Sequence, residues 1–305
     1  MQNLTIILQK ALPVFLMLAL GVLCCKKQII SREGISAMKT FAVSITLPAV
    51  MFSAFASAEY SAQSLWTPLI IFAVCVLMLL AGMAGCRMLG LHGRLSPYLA
   101  TGFEAGMLGY ALFALLYPAE PTASFAMVDL GQVLFVFTLY KALLAGRSGL
   151  KGVVREALHA PTVWAIVIGI LFGTTGLYRA LEPSGISSVL DASAAFVAAP
   201  TSAVILLTIG YDLGSGSIEW RKTFRLVLLR LIIAAIALAV VLLVDRYLLG
   251  GLMHSGALLL LFILPPPYVL PVFADVEEER ADVSSALSAL TLISLVLFMI
   301  LTALC

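Results

Sequence analysis

The sequence predicts an all-α integral membrane protein of ten transmembrane helices, arranged as two inverted five-helix repeats. Three observations carry this. First, the chain of 305 residues is 62% hydrophobic and only 11% charged, with a mean hydropathy of +1.10. Charged residues make up about a quarter of an ordinary globular chain, so this much apolar surface exceeds what a soluble core can hide. Second, apolar stretches of about 20 residues, the length that crosses a ~30 Å hydrocarbon core, recur ten times. Third, the halves echo each other: Pro13 and Gly21 return 148 residues later as Pro161 and Gly169, and Pro48 returns 152 residues later as Pro200. With an odd number of crossings per half, the second half enters from the opposite side, the inverted-repeat plan of many ion-coupled carriers.

In order, the expected spans cover residues 4–25, 35–57, 65–88, 96–117, 121–145, 160–180, 187–213, 223–249, 252–274 and 281–304. Residues 1–150 form the first repeat and 151–305 the second, with the basic joint Gly146 to His159 between them. The first span lacks a basic n-region and an A-x-A cleavage site, which reads as an uncleaved helix rather than a signal peptide. Lys26, Lys27, Arg32 and Lys39 follow the first span; Arg87 and Arg94 the third; Lys141, Arg147, Lys151 and Arg155 the fifth; Arg221, Lys222 and Arg225 the seventh. Even-numbered connections hold only Arg179 and Arg246. By the positive-inside rule the odd connections are cytoplasmic and both termini lie outside the cytoplasmic membrane.

Two spans are expected to be interrupted. The fourth contains Gly102, Gly106 and Gly109 around Glu104; the ninth contains Pro265-Pro266-Pro267, with Pro271 one turn on. Consecutive prolines remove backbone donors and cannot continue a regular helix. Broken helices within a membrane are tolerated where freed backbone groups line a cavity or meet protein, and their ends present partial charges. Because the interruptions occupy equivalent places in the two halves, they form the candidate substrate site; structural kinks are the alternative.

The stretches Ser44-Ile45-Thr46-Leu47-Pro48-Ala49, Gly102 to Tyr110, Asp129-Leu130-Gly131-Gln132, and Ala199-Pro200 followed by Leu206 to Gly210 resemble the auxin efflux carrier family, bacterial permease branch. The resemblance implies a fold related to bile-acid symporters and sodium/proton antiporters. Helices 1, 2, 6 and 7 would be the scaffold, helices 3–5 and 8–10 the transport domain, with helices 4 and 9 crossing. It also implies a small carboxylic acid as substrate, malate or malonate in many bacterial members. One departure stands out: the family often has Asn at the crossover, where this chain has Glu104, and its only Asn is Asn3.

Glu104 is the first candidate residue, because an intramembrane carboxyl is a default place for a proton coupled to solute movement; a hydrogen-bonded structural group is the alternative. With it go Gly106, Gly109, Pro265, Pro266, Pro267 and Tyr268 as the crossover and substrate-binding set. Asp129 and Gln132, three residues apart on the fifth helix, share a face. Arg230, seven residues into the eighth helix, either meets a substrate carboxylate or an acid, or snorkels to the surface. Pro48 and Pro200 are the scaffold prolines. Asp191, Asp212 and Asp245 near helix ends read as structural, and Ser288, Thr291 and Ser294 share a face of the tenth helix. His92, His159 and His254 sit in connections without ligand spacing, so neither a metal site nor a cofactor is expected.

The chain thus reads as a secondary active transporter, a permease for a small organic acid anion, with a proton or sodium ion as the coupling ion. A symporter of bile-acid-like or other organic solutes is the alternative reading. No nucleophile elbow or metalloprotease signature argues for an enzyme, and internal pseudo-symmetry argues against a channel. Nothing in the charge pattern suits nucleic acid. The partners expected are the substrate, the coupling ion and the lipid bilayer; a homodimer is left open.

Overall fold

In a computed structural model the chain is helical. The structure describes residues 2–58, 60, 65–145, 161–215, 220–270 and 279–304, and among these no β-strand occurs. Among the described residues, six stretches are long and apolar enough to cross a membrane: Arg32–Ala56, Trp66–Met88, Thr122–Leu144, Ile186–Gly214, Thr223–Leu249 and Ser285–Ala303. Leu12–Lys26 and Pro161–Thr174 are shorter apolar helices. The fourth and ninth expected spans are interrupted, as described below.

The helices are α1 (Gln2–Lys26), α2 (Arg32–Ala56), α3 (Trp66–Met88), the short α4 (Ser96–Leu99), α5 (Tyr110–Leu116), α6 (Thr122–Leu144), α7 (Pro161–Thr174), α8 (Ile186–Ala198), α9 (Thr201–Ser215), α10 (Trp220–Val244), α11 (Ser255–Ile263) and α12 (Arg280–Leu304). Local chemistry sets several boundaries. Ser31 caps α2, its hydroxyl accepting the Gly34 N–H at 3.1 Å. The expected sixth span is divided at Gly176 (φ 70°), and the seventh at the Ala199-Pro200 turn, where Pro200 supplies no N–H to continue α8. α2 and α6 each contain a π-helical turn, at Ala42–Thr46 and Val136–Tyr140.

The chain folds as two compact units. One comprises Met1–Leu65, Gly106–Met127 and Arg155–Ser215; the other comprises Trp66–Ala105, Val128–Val154 and Gly216–Cys305. In the first unit, α1 packs on α9 and α7 on α2. Gly21 and Gly210 set the α1–α9 approach: a Cβ on Gly21 would lie 2.2 Å from the Leu207 carbonyl oxygen, and one on Gly210 2.2 Å from that of Leu18. Gly169 does the same for α7 and α2, where a Cβ would lie 3.0 Å from the Phe52 carbonyl oxygen. Without a hydrophobic driving force between helices in lipid, close backbone approach at small residues is how such pairs gain packing energy.

In the second unit, α10 packs against α3, α11 and α12. α3 and α10 leave Leu69, Leu77, Leu80, Ile232, Ile236 and Leu243 exposed. Large apolar side chains exposed in this number along two helices are unfavourable in water and ordinary in lipid.

Candidate functional site

The second unit holds both interruptions. α4 ends at Leu99, and residues 101–104 run non-helical before a π-helical turn at Ala105–Gly109 leads into α5. Gly102 has φ +68°, and a Cβ there would lie 2.8 Å from Cγ of Pro267. The break is thus centred on Gly102, the only one of the three expected glycines with a left-handed backbone. α11 ends at Ile263, and the ψ of 151° at the next residue, Leu264, is the extended conformation that a following proline imposes. Pro265, Pro266 and Pro267 then run without backbone donors, all buried. Pro271 lies outside the described residues.

The two interruptions are joined through Glu104. Its backbone N–H donates to the Pro265 carbonyl at 2.8 Å, and its side-chain Oε2 accepts the backbone N–H of Tyr268. Phe103 meets Phe262 edge to face at 4.9 Å between ring centroids. The Tyr268 hydroxyl lies 2.6 Å from Thr291 Oγ1. Because Thr291 gives its own proton to the Leu287 carbonyl at 2.7 Å, Tyr268 is the donor in that pair.

Breaking a helix orphans its carbonyls, and a buried orphan costs roughly 1–3 kcal/mol. Side chains from two other helices, α6 and α10, cover those of the fourth segment. Tyr140 of α6 donates to the Tyr98 carbonyl at 3.2 Å. Gln132 of α6 donates through Nε2 to the Phe103 carbonyl at 2.6 Å. Thr101 is held in turn by the Cys75 carbonyl of α3 at 2.7 Å.

Arg230 of α10 does most. One guanidinium nitrogen, Nη2, donates to the Gly102 carbonyl at 2.7 Å and the Leu264 carbonyl at 3.1 Å; Nη1 reaches the Leu99 carbonyl at 3.5 Å. The group also lies over the Phe103 ring, 5.2 Å from its centroid. A helix C-terminus carries partial negative charge, so this cation sits where the ends of α4 and α11 concentrate it. At 2% exposure Arg230 does not snorkel.

Of the residues singled out in the sequence, Glu104, Arg230, Gln132, Pro265 and Tyr268 are therefore linked by hydrogen bonds or a shared segment in one unit. Asp129, one turn before Gln132, is fully buried in the same unit. Gln132 Oε1 is buried and has no hydrogen-bond partner among the described residues. Gly106, Gly109, Pro48 and Pro200 belong to the other unit. Gly106 is not sterically required there, since a Cβ would meet only Leu47 and Met51 side chains at 3.6 and 3.9 Å. Pro48 opens the second α-helical stretch of α2.

Several contacts had no signal in the sequence reading. The Glu279 carboxylate accepts the backbone N–H groups of Arg94 at 2.9 Å and Leu95 at 3.1 Å, and the Arg94 guanidinium donates to the Leu144 carbonyl at 3.1 Å. The positive-inside rule weighs cations and gives acidic residues such as Glu279 little weight. His254, read as a connection residue, caps α11, with Nδ1 accepting the Ala257 N–H at 3.0 Å. Asp245 accepts the Met253 N–H at 2.9 Å, and Asp191 accepts the Tyr178 hydroxyl. All three serve local structure.

No family model matches the chain. It is similar to a protein of Methanothermobacter thermautotrophicus (strain Delta H) named an uncharacterized transporter, with 24% identity over 212 residues, 67% of each chain.

Proposed function

We propose that this protein is a secondary active transporter that moves a small organic acid across the cytoplasmic membrane by alternating access, with a proton on Glu104 as the coupling ion. The observation that carries the reading is the joint between the interrupted fourth and ninth segments, in which one ionisable side chain holds both strands. An ionised Glu104 carboxylate accepts the Tyr268 N–H strongly; adding a proton weakens that acceptor and with it the joint. Protonation is thereby linked to the geometry of the interruption, which is what coupling needs.

Several features support the carrier reading. The six apolar stretches among the described residues suit a membrane, and the similar archaeal protein is named a transporter. Close packing at Gly21 (first segment against seventh) is matched by close packing at Gly169 (sixth against second), the exchange expected of inverted repeats. In this reading α1, α2, α7, α8 and α9 act as the scaffold, and α3 to α6 with α10 to α12 act as the transport domain. Arg230 already supplies a cation to the carbonyl ends, which favours a proton over a metal cation at that place. The resemblance to auxin efflux carriers supports an acid as solute, and the charge pattern of the connections supports extracytoplasmic termini.

The test is flux into liposomes containing the purified protein, with a panel of small mono- and dicarboxylates, with and without a pH gradient. Saturable flux that responds to the gradient is expected. A non-saturating, ohmic current would mean a channel, and no carboxylate flux under any gradient would refute the acid-transport reading.

A further inference from the structure

A cavity of about 300 Å³ lies within the first unit, at the small end of the range for ligand pockets. Its inner wall is made by buried Ala54 of α2, Tyr110 and Ala111 of α5, and Thr201 of α9. Ala195 and Ala199, at the end of α8 and the turn that follows, line it and are exposed, so the cavity opens to the outside of the unit. The wall is otherwise mostly alanine, with hydroxyls from Ser53, Thr122 and Ser202. None of the lining residues is acidic, basic or histidine.

That wall selects by charge. An ion taken from water without a counter-charge loses several kcal/mol of solvation, so a dianion is strongly disfavoured here. The first turn of α9, at Thr201 and Ser202, is part of the wall, and a helix start carries about half a positive charge. It offsets one carboxylate in part and two hardly at all. Hydroxyls suit hydrogen-bonding groups on an uncharged body, and alanine methyls suit short aliphatic or flat carbon skeletons.

We infer that this cavity is the solute compartment, and that it takes small neutral or singly charged organic solutes and rejects dicarboxylates. The inference rests on the transport reading above and narrows its substrate to monocarboxylates. A solute enters past Ala195 and Ala199 and seats its carbon skeleton against Ala54 and Ala111.

The experiment uses the full chain carrying Cys305→Ser and Ala198→Cys, since Cys24, Cys25, Cys75 and Cys86 are buried. Ala198 lines the cavity and is half-buried. Maleimide labelling of the new thiol is timed with butyrate, benzoate, malonate or succinate present. A monocarboxylate at about ten times its dissociation constant slows labelling about tenfold, and the dicarboxylates leave it unchanged. In Ala195→Trp, checked for folding by thermal unfolding, the benzoate-to-butyrate flux ratio falls about tenfold, because overpacking penalises the larger ring first.

Equal protection by malonate or succinate overturns the inference, as does absence of protection by every solute. So does an unchanged flux ratio in folded Ala195→Trp. If the wild type carries nothing while butyrate still protects the thiol, the transport reading fails and the binding site stands.

Discussion

The backbone N–H of Glu104 donates to the carbonyl of Pro265 at 2.8 Å, joining two segments from opposite halves of the chain. Both partners are products of interruption. Pro265 offers its carbonyl because the proline run has left the helical path, and Glu104 offers its N–H because the helix before it ended at Leu99. One hydrogen bond of this kind contributes only about 1 kcal/mol. The joint therefore depends on the neighbours that hold each strand in place, and the predictions below probe them in turn.

Gly102→Ala should destabilise the second unit. Its φ of +68° costs an L-residue roughly 1–2 kcal/mol, and the new methyl would meet Pro267 Cγ at 2.8 Å. Pro267 is buried beside the joint and has little room to move. Thermal unfolding in detergent should show a clear fall in Tm for Gly102→Ala. Gly106→Ala, with nothing closer than 3.6 Å, should unfold within a degree or two of wild type.

Arg230→Ala leaves the carbonyls of Gly102 and Leu264 without their donor, at about 1–3 kcal/mol each. Transport and Tm should both fall, and guanidinium ion at millimolar concentration should restore part of each by refilling the space. Arg230→Lys should recover less than guanidinium does, since an ammonium cannot reproduce the planar fork that spans separate carbonyls. A protein indifferent to Arg230→Ala would show that the carbonyl ends need no counter-charge.

Gln132→Leu removes the donor to the Phe103 carbonyl while keeping most of the volume. The expected loss is about 1–3 kcal/mol, read from the Tm. Gln132 Oε1 has no partner among the described residues, so the Nε2 contact should account for the effect. Gln132→Glu, which keeps the shape but replaces the donor, should be at least as damaging.

Lys39 and Asp212 form an ion pair at 2.6 Å in the first unit, yet their side chains are 41% and 54% exposed. Exposed pairs contribute about 0–1 kcal/mol because water and salt screen them. Lys39→Ala should shift the Tm by little, and the difference should shrink further at high salt. A large shift would mean that the pair is shielded from water.

The interruptions were legible in the sequence because their causes are local. A triple proline ends a helix wherever it stands, and the expected third span, 65–88, falls almost on Trp66–Met88 for the equally local reason of unbroken apolar length. The position of the fourth break was less legible: three glycines were candidates, and only Gly102 has the left-handed backbone that calls for one. The partners of Arg230 were not legible at all. Backbone carbonyls look alike in sequence, and only tertiary packing brings those of Leu99, Gly102 and Leu264 to one guanidinium. Glu279 was missed for the same reason, since its partners are the N–H groups of a connection far away in the chain.

The central claim is that a proton on Glu104 couples to solute movement, and the most direct test is Glu104→Gln in liposomes across imposed pH gradients. Glutamine keeps an oxygen to accept the Tyr268 N–H and cannot titrate. Saturable flux that persists in the variant but no longer responds to the gradient is the predicted result. A variant that follows the pH gradient as the wild type does would contradict the account.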